Sequence, residues 1–207
     1  SRVTKRFRKK MITLAAFIYS GQVILILAQV MDSILIASLK GLALTGVFAL
    51  ASYIANLVQV PQRSIISIAV PVLSRAWKDK NMKEIERIYN RTSINLLLAA
   101  LFIFGGIWLN ITEACKVMNI QSEYEAGIQV IFLLGISRII DAGTGVNGQI
   151  IATSIQWRFD FITGVVLLAL MIPLNYILIK EIGIVGSAYA NLISFTVYNF
   201  IRCVFLW

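Results

Sequence analysis

Residues Gly46–Tyr89 read GVFALASYIANLVQVPQRSIISIAVPVLSRAWKDKNMKEIERIY. From Gly46 to Val72 the stretch is apolar apart from interruptions at Pro61 and Arg63, and it ends in a basic collar of Arg75, Lys78, Lys80, Lys83 and Arg87. About 20 apolar residues suffice to cross a bilayer's hydrocarbon core, so the segment predicts a membrane span with an arginine inside it. A charge at the centre of such a helix costs about 2.5–3.5 kcal/mol on insertion scales, and Arg63 is therefore expected to face protein, water or a ligand. Steps of three and four place Ser52, Asn56, Gln59, Arg63, Ser67 and Ser74 on one stripe. A polar stripe on a spanning helix lines a cavity or a helix contact. Pro61 removes a backbone hydrogen bond and predicts a kink, either static or used to bend between states.

Composition extends this reading to the whole chain. Of 207 residues, 58% are hydrophobic and 14% charged, and the mean hydropathy of +0.81 leaves too little polar surface for a water-soluble domain. The expected architecture is an all-α integral membrane bundle of six transmembrane helices. A basic cytoplasmic segment, 1–10, precedes spans at about 11–39, 46–74, 88–109, 124–154, 159–179 and 183–207. The first span is too long for a signal-peptide core, so no cleaved signal is expected. Arg2, Lys5, Arg6, Arg8, Lys9 and Lys10 mark the cytoplasmic side and anionic headgroups in preference to nucleic acid. An inside N-terminus also puts Arg75–Arg87, Arg158 and Arg202 on the cytoplasmic side, leaving Lys40, Lys116 and Lys180 for the outer turns.

Each further span adds its own polar residues. In the first, Gln22, Gln29, Asp32 and Ser33 share a face. Asp32 reads either as a solvated or capping carboxylate near the outer interface or as a cavity group. Residues 78–87 read as a charged cytoplasmic loop. The third span is scaffold facing lipid, ending in Trp108 at an interface, with an outward-type loop after it. The fourth carries Ser137, Arg138, Asp141, Thr144, Gly145 and Gly148 on one broad face. Arg138 and Asp141 stand three apart and are expected to neutralise each other, while Gly143, Gly145 and Gly148 permit close helix approach or local unwinding. The fifth is apolar except for Thr163 and Asn175. The sixth repeats Ser187, Asn191, Ser194, Tyr198 and Arg202 at helical spacing, a stripe expected to meet the other polar faces inside the bundle.

Enzymatic chemistry finds little support. The chain has no His, which excludes His-based triads and HExxH zinc sites. Cys115 and Cys203 fall on opposite sides of the membrane in this topology, so neither a disulfide nor a shared metal site is expected. Asn90-Arg91-Thr92 and Asn110-Ile111-Thr112 match the glycosylation pattern too weakly to count. No Gly-rich phosphate loop occurs, and no cofactor or metal is expected.

Several residues together resemble a known family. Asp32 followed by a Gly-containing turn, Gly46 with Tyr53 and Ala55, Arg63, and Ala69-Val70-Pro71 leading to Ser74-Arg75 make the first part. Asn147-Gly148 with Thr153 and Ser154, Asn175 to Ile179, and Gly183-Ile184-Val185-Gly186-Ser187-Ala188 come next, in that order. The series resembles the C-terminal six-helix lobe of polysaccharide and O-antigen lipid flippases, within the multidrug/oligosaccharidyl-lipid/polysaccharide (MOP, MATE-like) superfamily. The resemblance implies alternating access between two six-helix lobes around a central cavity, moving a polyprenyl-pyrophosphate-linked glycan across the bacterial inner membrane during polysaccharide or lipopolysaccharide synthesis. It also implies a missing N-terminal lobe as partner, besides membrane lipid and the lipid-linked substrate, and no nucleic acid.

On that basis Arg63 is the first candidate for the diphosphate, because a guanidinium is always protonated and grips phosphate bidentately. Arg138 is the second if released from Asp141, and Asn56 and Gln59 are candidates for sugar hydroxyls. Asp32 and Asp141 are the ion-coupling candidates of the alternative, a cation-coupled drug or metabolite antiporter of the same superfamily. A non-transporting membrane scaffold is the third reading, since polar contacts between membrane helices can exist for packing alone.

Overall fold

The computed structural model describes residues 5–117 and 125–207. Among them eight α-helices succeed one another: α1 (Lys5–Lys40), α2 (Leu42–Asn56), α3 (Val60–Lys78), α4 (Met82–Val117), α5 (Glu125–Gly143), α6 (Asn147–Thr153), α7 (Trp157–Ile182) and α8 (Ile184–Leu206). By length and composition, Tyr19–Lys40, Leu42–Lys78, Met82–Glu113, Trp157–Ile182 and Ile184–Leu206 can each cross a membrane. Gly127–Gly143 and Asn147–Thr153, bent by 48° at their junction, make a sixth span when taken together. Large apolar side chains such as Phe102, Leu109 and Ile68 stand fully outward, as expected of a surface solvated by acyl chains.

Helices run further than the sequence reading at the first, second, third and fifth spans, while the fourth and sixth end within their expected bounds. Residues 82–87, which read as loop, are the first turns of α4, opened after a turn at Asp79–Asn81 in which Asn81 Oδ1 accepts from the Glu84 N–H at 3.2 Å. A charged helical turn outside the membrane carries no apolar run to mark it, and so reads as loop. The helix also continues beyond Trp108, which packs on Phe104 and Phe132 within the bundle. The outer loop expected after Asn110 is therefore helical as far as Val117, and both glycosylation matches lie on α4. Cys115 and Lys116 have side chains outside the described residues, as do Gln22 and Gln29.

One span tightens and another is broken, each for a local reason. Between α2 and α3 the chain tightens into a 3-10 turn, Leu57–Gln59. In an α-helix the Leu57 carbonyl would accept from residue 61, but Pro61 has no N–H, and the Val60 N–H takes that carbonyl one residue early. Pro71 and Pro173 sit inside α3 and α7 without such a break, so proline alone does not dictate one.

Between α5 and α6 the chain unwinds at Gly145, with φ +66°, a conformation natural to glycine. The Gly143 carbonyl that loses its helical partner accepts instead from the Ser93 hydroxyl of α4. A Cβ at Gly145 would meet the Ser93 backbone at 3.0 Å. Close approach and unwinding, alternatives in the sequence, therefore occur together here.

Helix α5 is the hub, packed by α2, α4 and α8, while α1, α7 and α8 form a second group against it. Ile36, Val47, Ala51, Leu134, Ile179 and Ala188 meet in the largest core cluster. Helices α7 and α8 are joined by Gly183 alone, at φ +68°, and touch most closely at Gly186, where a Cβ would overlap the Leu178 carbonyl. Backbone cannot swing aside as a side chain can. Gly186→Val is expected to destabilise the fold by about 1–3 kcal/mol through overpacking, read as lower monodisperse yield and earlier thermal unfolding in detergent. Wild-type stability would show that the hairpin opens without cost.

Candidate functional site

Helices α1, α2, α3, α5 and α8, with the 3-10 turn between α2 and α3, line a cavity of about 300 Å³. Its lining includes Asp32 and Ser33 of α1, Ser52, Tyr53 and Asn56 of α2, Gln59 of the 3-10 turn, Arg63 of α3, Arg138 of α5 and Asn191 of α8. The 3-10 turn places Gln59 and Arg63 on this wall, because it lets the α2 and α3 segments of one polar stripe share a concave side. Arg63, Asn56, Gln59, Arg138 and Asp32 are thus brought together. Asp141, the sixth candidate, stands behind the wall, bonded to Gln59.

Arg63 is exposed on this face and makes no hydrogen bond or ion pair among the described residues. Arg138 is buried, with 8% of its surface accessible, and its guanidinium carbon lies 5.2 Å from the Phe195 ring centroid. An aromatic face supplies about 0.5–2 kcal/mol to a desolvated cation without using any N–H group. The Arg138 Nε–H has no acceptor among the described residues.

The expected Arg138–Asp141 pair does not form. Asp141 is held by three amides: Gln59 Nε2 donates to Oδ2 at 2.8 Å, Gln62 Nε2 reaches the same oxygen at 3.5 Å, and Asn199 Nδ2 donates to Oδ1 at 3.0 Å. Spacing of three residues makes the ion pair possible but does not compel it when neighbouring helices offer better-directed donors. The charge balance changes accordingly, because Asp141 is not spent on Arg138 and Arg138 is left without a hydrogen-bonded counter-ion.

Asp32 is a cavity group and not an interfacial cap. It is 4% accessible and accepts from Asn191 Nδ2 at 2.6 Å through Oδ2, while Oδ1 has no partner among the described residues. Behind it, Ser187 donates to Asn175 Oδ1 at 2.7 Å and Asn175 Nδ2 donates to the Met171 carbonyl at 3.1 Å. The polar stripe of α8 therefore turns inward along its length, and Asn191 belongs to the site although the sequence marks it only as one member of that stripe. Tyr53, one position off the α2 stripe, is not singled out by periodicity.

Arg202 corrects the charge reading. It is buried and ion-paired with Asp160 of α7, donates from Nε to Thr163 Oγ1 at 3.2 Å, and lies 3.9 Å from the Tyr198 ring centroid. A guanidinium so enclosed does not report which side of a membrane faces the cytoplasm.

No family model and no curated protein matches this sequence. Solved structures do. A MATE transporter in the straight conformation aligns with a TM-score of 0.66 at 20% identity, over 95% of this chain and 44% of that one. A MOP superfamily transporter from Pyrococcus furiosus, whose pocket polarity is reversed and taken to suggest a different function, gives 0.66 at 20% identity over 100% and 48%. A multidrug resistance MATE-family transporter in an outward-facing conformation gives the same values. The chain spans just under half the length of these transporters and has the fold of one of their lobes, consistent with a multi-pass membrane protein.

Proposed function

We propose, from the premise of a fold shared with half of a MATE-type transporter, that this chain is one lobe of a carrier for a lipid-linked, anionic saccharide. The observation that carries this reading is two guanidinium groups, Arg63 and Arg138, without hydrogen-bonded counter-ions among the described residues, beside one cavity that also presents the amides of Asn56 and Gln59. A polyprenyl-diphosphate glycan offers what they lack: phosphate oxygens for the guanidiniums, hydroxyls for the amides, and an isoprenoid tail left in lipid. The lining charges are Arg63 and Arg138 against Asp32, a positive balance. A second six-helix lobe would face the cavity from the polar side of α2 and α3. The cytoplasmic membrane, with the basic N-terminal segment inside, is the location that goes with this reading.

A packing-only scaffold fits less well, because an unpaired charge within a span costs about 2.5–3.5 kcal/mol, more than the Phe195 ring returns to Arg138. One observation favours a second reading. The buried Asp32 lines the same cavity and its Oδ1 has no hydrogen-bond partner among the described residues, which suits a cation-coupled antiporter of drugs or metabolites. Proteoliposomes holding the full-length protein separate the two. The first reading expects labelled lipid-linked oligosaccharide to reach the opposite leaflet. Cationic drug uptake driven by a proton or sodium gradient, with no movement of the oligosaccharide, would establish the second instead.

A further inference from the structure

Away from the central cavity, the end of Leu42–Lys78, the start of Met82–Glu113 and the end of Ile184–Leu206 meet around a groove of about 390 Å³. That volume lies within the range of small-ligand pockets, about 300–1,000 Å³. Trp77, Ile85, Tyr89, Ile150 and Leu206 make a largely apolar wall. The wall is pinned on both sides. Trp77 Nε1 donates to the Ile150 carbonyl at 3.1 Å, joining α3 to α6, and the Tyr89 hydroxyl lies 3.7 Å from Cys203 Sγ of α8. Trp207, 99% accessible, also lines the groove. Tryptophan and tyrosine at the ends of spans sit at headgroup level, so phospholipid is the molecule already in contact with this surface.

Charges at the rim select among headgroups. Glu86 and Asn90 of α4 are exposed and line the groove, Lys83 precedes Glu86 by three positions on the same helix, and Lys78 follows Trp77. Arg75 pairs with Asp79 at 3.8 Å and Arg87 with Glu84 at 3.6 Å. Lys78, Lys83 and Glu86 are left without a hydrogen bond or ion pair among the described residues.

We propose that this groove is a lipid site for phosphatidylethanolamine, with an acyl chain against the apolar wall, the phosphate on Lys78 and Lys83, and the primary ammonium on Glu86. A residue three positions away on a helix is a surface neighbour, so Lys83 and Glu86 present opposite charges side by side, as a zwitterionic headgroup does. Phosphatidylglycerol would satisfy the lysines but bring no cation to the carboxylate. Phosphatidylcholine brings a cation with no N–H to donate. Exposed ion pairs are individually weak, so the apolar wall supplies most of the affinity and the charges supply the choice of lipid. The site is independent of which substrate the central cavity carries.

Native mass spectrometry of the full-length protein in detergent tests this, with phosphatidylethanolamine, phosphatidylglycerol and phosphatidylcholine of identical acyl chains added in equal amounts. The wild-type protein should retain phosphatidylethanolamine about tenfold over phosphatidylcholine, the scale of one charge-assisted hydrogen bond. Glu86→Gln should erase that preference and raise retention of phosphatidylglycerol. Lys78→Gln and Lys83→Gln should each weaken all three lipids by about fivefold. Asn90→Phe, which fills the groove from its exposed rim and leaves every charge in place, should abolish retention. All four positions are exposed, so the variants should unfold at the wild-type temperature. Equal retention of the three lipids by the wild-type protein, or an unchanged preference in Glu86→Gln, overturns the headgroup assignment. Unchanged retention in Asn90→Phe overturns the groove itself, leaving a lipid held only at the charged surface. No retained lipid at all, as when another segment of the full-length protein fills the groove, overturns the proposal outright.

Discussion

Replacing Arg63 with alanine and Arg138 with glutamine together is expected to lower translocation of lipid-linked oligosaccharide by at least about a hundredfold, because each guanidinium contributes about 1.5–3 kcal/mol in hydrogen bonds to a charged ligand. The single variants should each lose about tenfold or more on the same grounds. Stability should move the other way. Neither side chain has a hydrogen-bonded acceptor among the described residues, and Arg138 is buried, so removing it relieves a charge that only the Phe195 ring partly compensates. Thermal unfolding of the double variant in detergent is therefore expected at or above the wild-type temperature. Activity lost together with folded protein would mean that these arginines are structural. Wild-type translocation would remove the basis of the carrier reading.

The same two arginines show what a sequence can and cannot convey about such a site. A charge in a span is legible because the bilayer leaves it few places to go, and Arg63, Asn56 and Gln59 fall on one stripe by arithmetic alone. Pro61 and Gly145 are legible as irregularities because one lacks a donor and the other tolerates a positive φ. Partner choice is another matter. Arg138 and Asp141 are neighbours on α5, but the winning donors come from Gln59 and Asn199, 82 and 58 positions away, and only packing decides their approach. Asn199 is not singled out by periodicity because it sits one residue off the spacing of the α8 stripe, yet it is buried and bonded across two helices. Charge counting fails at Arg202 for a similar reason, since the rule that basic residues lie inside assumes they are solvated.

That buried arginine carries the second large effect. Arg202 and Asp160 form an ion pair that also engages Thr163 and the Tyr198 ring, and Gly148 leaves the space the guanidinium occupies, since a Cβ there would approach Nη1 to 2.5 Å. The pair joins α7 to α8 and packs both against the short α6 segment beyond the break. Removing Asp160 strands a buried guanidinium, a loss of about 3–5 kcal/mol for buried pairs, whereas removing Arg202 leaves a carboxylate with 30% of its side chain accessible and costs less, and replacing both with apolar residues of similar volume is often close to neutral. Arg202→Met and Asp160→Asn are each expected to unfold at lower detergent or temperature than wild type, Asp160→Asn the more markedly. Arg202→Met with Asp160→Leu should recover most of that loss, giving a strongly non-additive cycle. If the double variant instead falls by the sum of the singles, the two side chains act separately. The bond between them would then not be what holds α6 at the end of the cavity-forming helices.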